Sequence, residues 1–272
     1  MEDSPATVLD KILSARRKRV EEARARVPFE RLEQAAAARR DYRDFAAALS
    51  AAPLRVIAEL KRASPSRGLL RREYRRRELA QSYESAGAAA LSVLTEEDFF
   101  MGSLHDLEEV RAAVRLPVLC KDFILDAYQV YESVAAGADA LLLIVAALED
   151  RELRSLIELC HRLRVATLVE VHTAEELDRA IAAGARILGV NNRNLKTLEV
   201  DLETSFRLRE RIPAGCLAVS ESGIRSAADL QRLSEAGFDA VLIGERFMEA
   251  PHPGRELGAL LEGAGLSASV HP

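Results

Sequence analysis

Glu59 and Lys61 stand two residues apart in a short apolar run, residues 56–61, that reads as a buried strand. Side chains alternate along a strand, so this carboxylate and this ammonium share one face. Buried charges are costly unless they pair or take part in chemistry. Ser64-Pro65-Ser66 and Gly68 then break the run into a polar loop able to hold an anion. A second lysine, Lys121, lies in the apolar run 117–124, with Phe123 on its face. The chain has five lysines against 33 arginines, so arginine serves wherever a plain positive charge suffices. Lysine can lose its proton when desolvated and arginine effectively cannot, which makes Lys61 and Lys121 candidates for acid or base work.

Other apolar runs end in groups of the same kind. The run 166–171 carries Glu170. Gly189-Val-Asn-Asn-Arg193 places Asn191 and Arg193 on one face. Val219-Ser-Glu-Ser-Gly223 ends in Glu221, Ser222 and Gly223, and Val241-Leu-Ile-Gly-Glu245 ends in Gly244 and Glu245. Two further runs end plainly, at Thr95 and Val145. One buried ion pair would account for Glu59 and Lys61 alone, but packing does not account for the whole set. Glycine lets backbone N–H groups approach an anion closely, and residues 245–248 can present a helix start, so Gly223, Gly244 and Glu245 read as a phosphate site. His172 reads as a cap on the turn after Glu170. No His/Cys/carboxylate spacing suits a metal, and no glycine fingerprint for a nucleotide follows a strand.

An internal echo tells which elements position these groups. Gly87, Gly137, Gly184 and Gly237, spaced 50, 47 and 53 residues apart, each follow a helical stretch and precede a continuous apolar run. Glycine there supplies a left-handed helix cap. A period of that size holds two strand–helix units, so four copies make eight. The remaining strands are residues 56–61, 118–123, 166–171 and 217–222. Helices are expected over 71–86, 126–136, 174–183 and 226–236. Apolar strands alternating with helices imply a parallel sheet covered on its outer face, and eight imply a (β/α)8 TIM barrel over residues 51–272, with its site at the carboxyl ends of the strands.

Residues 1–50 form a helical N-terminal extension. Ser4-Pro5 suits a helix start. Val8, Leu9, Ile12, Leu13 and Val20 make an apolar stripe, and further helices are expected over 28–40 and 41–49. The extension is either a plug under the barrel or a lid over it. Arg16-Arg-Lys-Arg19 reads as a solvated helix face, and the tail after Leu261 as frayed. The net charge of −5 offers no basic surface for nucleic acid. Cys120, Cys160 and Cys216 read as buried thiols in a reducing cytosol. The N-terminus has no apolar signal region and no run is long enough for a membrane span, so a cytoplasmic location without membrane contact is expected.

The blocks Ile57-Ala-Glu-Leu-Lys-Arg-Ala-Ser-Pro-Ser-Arg-Gly68, Leu119-Cys-Lys-Asp-Phe-Ile124, Leu168-Val-Glu-Val-His172, Gly189-Val-Asn-Asn-Arg-Asn-Leu195, Ser220-Glu-Ser-Gly-Ile224 and Ile243-Gly-Glu245 resemble, in order, those of the indole-3-glycerol-phosphate synthase family of tryptophan biosynthesis. Arg62 and Arg67 stand where that family often has lysine. The resemblance implies a carbon–carbon lyase that closes the pyrrole ring of 1-(2-carboxyphenylamino)-1-deoxyribulose 5-phosphate with loss of CO2 and water, using no metal or organic cofactor. By resemblance Lys121 is the first candidate for the acid and Glu170 the matching carboxylate that shuttles protons, with the division of acid and base steps among Lys121, Lys61, Glu170 and Glu59 left open. Lys61, Ser64 and Arg193 suit the substrate carboxylate. Glu59 and Asn191 suit its hydroxyls and set the charge on the lysines. Ser222 joins the catalytic group, and Phe123 and Glu221 the substrate-binding one. A small phosphorylated molecule is the expected partner. A monomer is expected, with association with other tryptophan-pathway enzymes left open. Two alternatives stand beside this reading: another phosphate-binding barrel enzyme, such as phosphoribosylanthranilate isomerase, and a non-catalytic metabolite-binding barrel.

Overall fold

The computed structural model describes residues 7–51, 53–195 and 197–266. Strands β1 (Arg55–Leu60), β4 (Ala90–Leu94), β5 (Val118–Lys121), β6 (Ala140–Ile144), β7 (Ala166–Val171), β8 (Ile187–Asn191), β9 (Leu217–Glu221) and β10 (Ala240–Ile243) close into one barrel in chain order, with β10 paired to β1. All eight pairings are parallel. Helices α4 (Arg76–Ser85), α5 (Leu104–Ala113), α6 (Ala127–Ala135), α7 (Asp150–Arg162), α8 (Ala174–Ala182), α9 (Glu203–Arg209) and α10 (Ala227–Glu235) alternate with the strands, and α11 (Glu245–Glu249) and α12 (Pro253–Gly263) follow the last. This is the (β/α)8 TIM barrel with a helical N-terminal extension.

The apolar pattern divides between two layers. Val56, Leu91, Val118, Leu141 and Val169 point outward and pack with the helices, whereas Ile57, Ala90, Leu119, Ala140 and Leu168 fill the interior. The four echo glycines all hold positive φ, from 82° at Gly237 to 102° at Gly137, as the left-handed cap requires. At the other helix ends, Ser103, Asp126, Thr173 and Ser226 accept backbone N–H bonds as N-caps.

Some expected bounds shift. The helix foreseen over 71–86 begins at Arg76, because the preceding chain forms a small hairpin of β2 (Ala63–Ser64) and β3 (Gly68–Leu69). There the amides of Leu70 and Arg71 bond the Arg62 carbonyl. The fifth strand stops at Lys121, since the Asp122 carboxylate takes the Phe123 N–H and turns the chain. Ser4-Pro5 lies outside the described residues. The first described helix is capped instead by Thr7, in a reciprocal pair with Asp10. Residues 262–266 depart from the frayed tail expected after Leu261: α12 runs to Gly263, and Leu266 is buried. Residues 267–272 lie outside the described residues. Cys120 and Cys160 are buried, but Cys216 is only partly so.

The described part of the extension packs on the barrel at more than one place. Helix α1 (Val8–Arg26) reaches the top, where Arg16, Arg19 and Arg24 pair with Asp122, Asp98 and Asp126 in the loops after β5 and β4. Helix α2 (Phe29–Ala38) runs beside α6, and α3 (Phe45–Ser50) packs on β1, β4 and β9, where Phe45 and Leu49 join the interior cluster. Arg16 corrects the reading of residues 16–19 as a solvated face. It is buried, and the apolar stripe of α1 carries it inward against Asp122.

Candidate active site

A cavity of about 570 Å³ opens at the carboxyl ends of the barrel strands. That size suits a substrate-sized ligand. Leu94, Phe100, Phe123, Leu142 and Ile144 give it an apolar side, with the Phe100 and Phe123 rings 6.1 Å apart. The opposite side carries Arg67, Arg193, Arg225 and Arg246 beside the chain turns at Gly223 and Gly244.

Lys121 occupies the centre. Its Nζ donates to Glu221 Oε2 at 2.5 Å and to Glu170 Oε2 at 3.1 Å. Lys61 Nζ lies 2.8 Å from Glu59 Oε1. The parallel register brings these groups together, setting Asn191 beside Glu221 and Glu170 beside Gly189. Glu59, Glu170 and Glu221 are 3%, 2% and 1% exposed, so their charges lack water and must be met by protein.

Burial by itself lowers the Lys121 pKa, but Glu221, Glu170 and Glu59 outweigh it and hold the ammonium well above the ordinary lysine range. Burial pushes Glu170 up, and Lys121 and His172 together hold it below the usual carboxylate range. Glu221 goes the other way. Burial outweighs Lys121, Glu170 adds its repulsion, and the carboxyl is pushed up to about 7. The cluster therefore pairs an ammonium with one firmly ionised carboxylate and one that titrates near neutrality.

Two glycines seat two of these carboxylates. A Cβ on Gly189 would fall 2.2 Å from Glu221 Oε1, and one on Gly244 would fall 2.3 Å from Glu59 Oε1. Gly244 thus has a reason to be glycine besides anion binding, and Gly244→Val would disturb Glu59 as much as any phosphate. The turn after β9 is held in the left-handed region at two successive residues, Ser222 (φ 68°) and Gly223 (φ 81°). For serine this is strained. Asn192 Nδ2 holds the turn by donating to the carbonyls of Glu221 and Ser222. The strain aims Ser222 Oγ at Asn191 Oδ1, 2.9 Å away, where the Arg193 N–H also bonds.

Glu59, Lys61, Lys121, Phe123, Glu170, Asn191, Arg193, Glu221, Ser222, Gly223, Gly244 and Glu245 all line the cavity. Ser64 does not. It is buried in the hairpin, its Oγ 3.5 Å from Ser66 Oγ. The Glu245 side chain turns to Arg193, 3.3 Å away, so only its backbone N–H is left for an anion. Phe100, Arg225 and Arg246 were not foreseen. Phe99-Phe100 just beyond a strand end was the available signal for the first, whereas the two arginines carry no mark among so many.

His172 is more than a turn cap. Its Nε2 lies 3.3 Å from Glu170 Oε1 and its Nδ1 3.0 Å from Glu176 Oε2. Burial lowers its pKa, but the two glutamates outweigh that and push it up to about 10. A folded-state pKa above the unfolded value of ~6.5 adds stability that is complete below that pH and is lost as pH rises through the folded value. The Tm lost in His172→Asn is accordingly expected to be largest near about pH 6 and to shrink toward pH 10. A deficit that grows with pH would contradict this ion-pair account.

A closed parallel barrel with its charged groups gathered at the carboxyl ends of the strands defines the class of (β/α)8-barrel enzymes. The family model described as indole-3-glycerol phosphate synthase matches residues 9–260, and the chain belongs to that family, whose enzymes act in tryptophan biosynthesis. It is 48% identical over 257 residues to the indole-3-glycerol phosphate synthase of Albidiferax ferrireducens, covering 93% of this chain and 97% of the relative. It is 49% identical over 242 residues to that of Chlorobium chlorochromatii, covering 88% of this chain and 94% of the relative. Among solved structures, KGPDC from Streptococcus mutans shares the fold with a TM-score of 0.61 at 14% identity, over 78% of this chain and 97% of that one. Among the described residues no helix is long and apolar enough to cross a membrane.

Proposed function

We propose that this chain converts 1-(2-carboxyphenylamino)-1-deoxyribulose 5-phosphate to indole-3-glycerol phosphate with loss of CO2 and water, as a carboxy-lyase working by general acid–base catalysis. The observation that carries the reading is Lys121, an ammonium between two carboxylates of opposite pKa shift, facing an apolar wall. The aromatic ring of the substrate fits against Phe100 and Phe123. Its carboxylate fits Lys61 and Arg193. Its phosphate fits the backbone at Gly223 and the start of α11, with Arg225 and Arg246 nearby.

Ring closure puts negative charge on the ketone oxygen as the ring carbon attacks. Lys121 donates the proton there. Loss of CO2 restores the ring, and the resulting hydroxyl takes a second proton and leaves as water while the neighbouring ring CH2 gives up one proton, forming the pyrrole double bond. Glu170 moves the protons of these later steps, and the hydroxyls of the chain lie within reach of Glu59 and of Asn191 with Ser222. Side chains supply acid, base and cation at each step, so the reading calls for no metal or organic cofactor. A monomer acting in the cytoplasm completes it.

An isomerase of phosphoribosylanthranilate type would want a Cys/Asp acid–base pair. Cys120 points away from the cavity, bonded with Thr95 and Ser133, and burial pushes its thiol up to about 12. Asp122 is already taken by Arg16 and Thr95. Incubation with the carboxyphenylamino substrate is expected to give rising indole fluorescence, against a low background because the chain has no tryptophan. Binding without turnover would leave the non-catalytic barrel standing.

A further inference from the structure

We propose that Arg16 of the N-terminal helix is a positioning residue for the acid and the aromatic wall, acting through Asp122; the inference rests on the acid role given above to Lys121. Asp122 lies between Lys121 and Phe123, and its carboxylate takes donors from three separate elements. Oδ1 accepts the Phe123 N–H at 2.8 Å. Oδ2 accepts the Thr95 hydroxyl at 2.5 Å, from the end of β4, and Arg16 Nη2 at 2.8 Å, from α1. The backbone between the acid and the ring wall is therefore fixed by a carboxylate whose third donor lies 106 positions away in the sequence.

The neighbouring pairs provide an internal contrast. Arg19 with Asp98 and Arg24 with Asp126 also tie α1 to the top of the barrel, but both are substantially exposed. Exposed pairs contribute little. Arg16 and Asp122 are 8% and 2% exposed, and a buried carboxylate that loses its cation rearranges or takes up a proton. Rearrangement here moves Lys121 and Phe123 directly, and misplacement by about 1 Å can cost ~10^2-fold in rate. Helix α1 thus does more than form exposed ion pairs with the loops at the top of the barrel. It supplies one of the groups that hold the acid in place.

The test measures kcat, KM and Tm for the full chain and for Arg16→Met, Arg16→Lys and Arg19→Ala. Arg16→Met is expected to lose at least about ten-fold in kcat, with KM raised about three-fold through Phe123. Arg16→Lys keeps a cation for Asp122 and is expected to stay within about three-fold of the parent kcat. Arg19→Ala is expected to match the parent. If Arg16→Met does not fold, Arg16→Gln, a neutral donor of similar reach, is read in its place, with a loss of at least about three-fold in kcat expected. A folded Met or Gln variant with lowered Tm but parental kcat and KM would overturn the proposal and leave Arg16 a structural ion pair. An inactive parent chain would instead remove the acid reading on which it rests.

Discussion

Lys121→Ala is expected to lower kcat by ~10^2 to 10^4-fold while KM changes little, because a positioned acid acts mainly in the transition state. The alanine variant carries a second effect. Lys121 neutralises Glu170 and Glu221, and removing one partner of a buried pair costs about 3–5 kcal/mol. A lost rate in that variant alone could come from rearranged carboxylates. Lys121→Arg separates the two. Guanidinium keeps the positive charge and restores the pairing, yet it does not give up a proton at neutral pH. Restored Tm with kcat still down by ~10^2-fold or more is the expected pattern. Near-parental kcat in the arginine variant would remove Lys121 from the acid role and leave it as a counter-ion.

The barrel was legible because its signals are local and repeated. Each echo glycine marks a helix end, each following run is largely apolar, and the left-handed cap is a backbone property that one residue reports. The rim was legible for a related reason: strand alternation fixes which side chains point inward, and Lys121, Glu170 and Asn191 needed only that. What stayed hidden depends on contacts between distant elements. The pairing of Lys121 with Glu221 rather than with Lys61's partner, Glu59, is set by the register and closure of the barrel, which no local pattern encodes. Ser64 looked like a ligand by its neighbours in sequence, but the hairpin folds it away from the cavity. Arg16 looked solvated because three basic residues follow it, and only the docking of α1 shows that it faces inward. Gly244 looked like an anion turn, and the carboxylate seated against it belongs to a strand nearly two hundred positions earlier in the chain.

Glu170→Gln tests the step that follows the acid. In the free site Glu170 is a weak base, since Lys121 and His172 hold its pKa down. That changes within the cycle. When Lys121 gives its proton to the ketone oxygen, the positive charge 3.1 Å from Glu170 Oε2 disappears, and the carboxylate's affinity for a proton rises. The acid step thus prepares the base. Glutamine keeps the size and an acceptor oxygen but cannot carry the proton, so kcat is expected to fall by ~10^2 to 10^4-fold with KM little altered. Because the two groups act as one unit, their losses are not independent. The double variant Lys121→Arg with Glu170→Gln is expected to be about as slow as the slower single variant, far short of the product of both losses. Glu221→Gln is the comparison, since it removes a carboxyl already pushed up to about 7 and also bonded to Lys121. If Glu170→Gln turned over at the parental rate while Glu221→Gln did not, the base would be Glu221. Losses in the double variant that multiplied fully would show the lysine and Glu170 serving separate steps, with no transfer of charge between them.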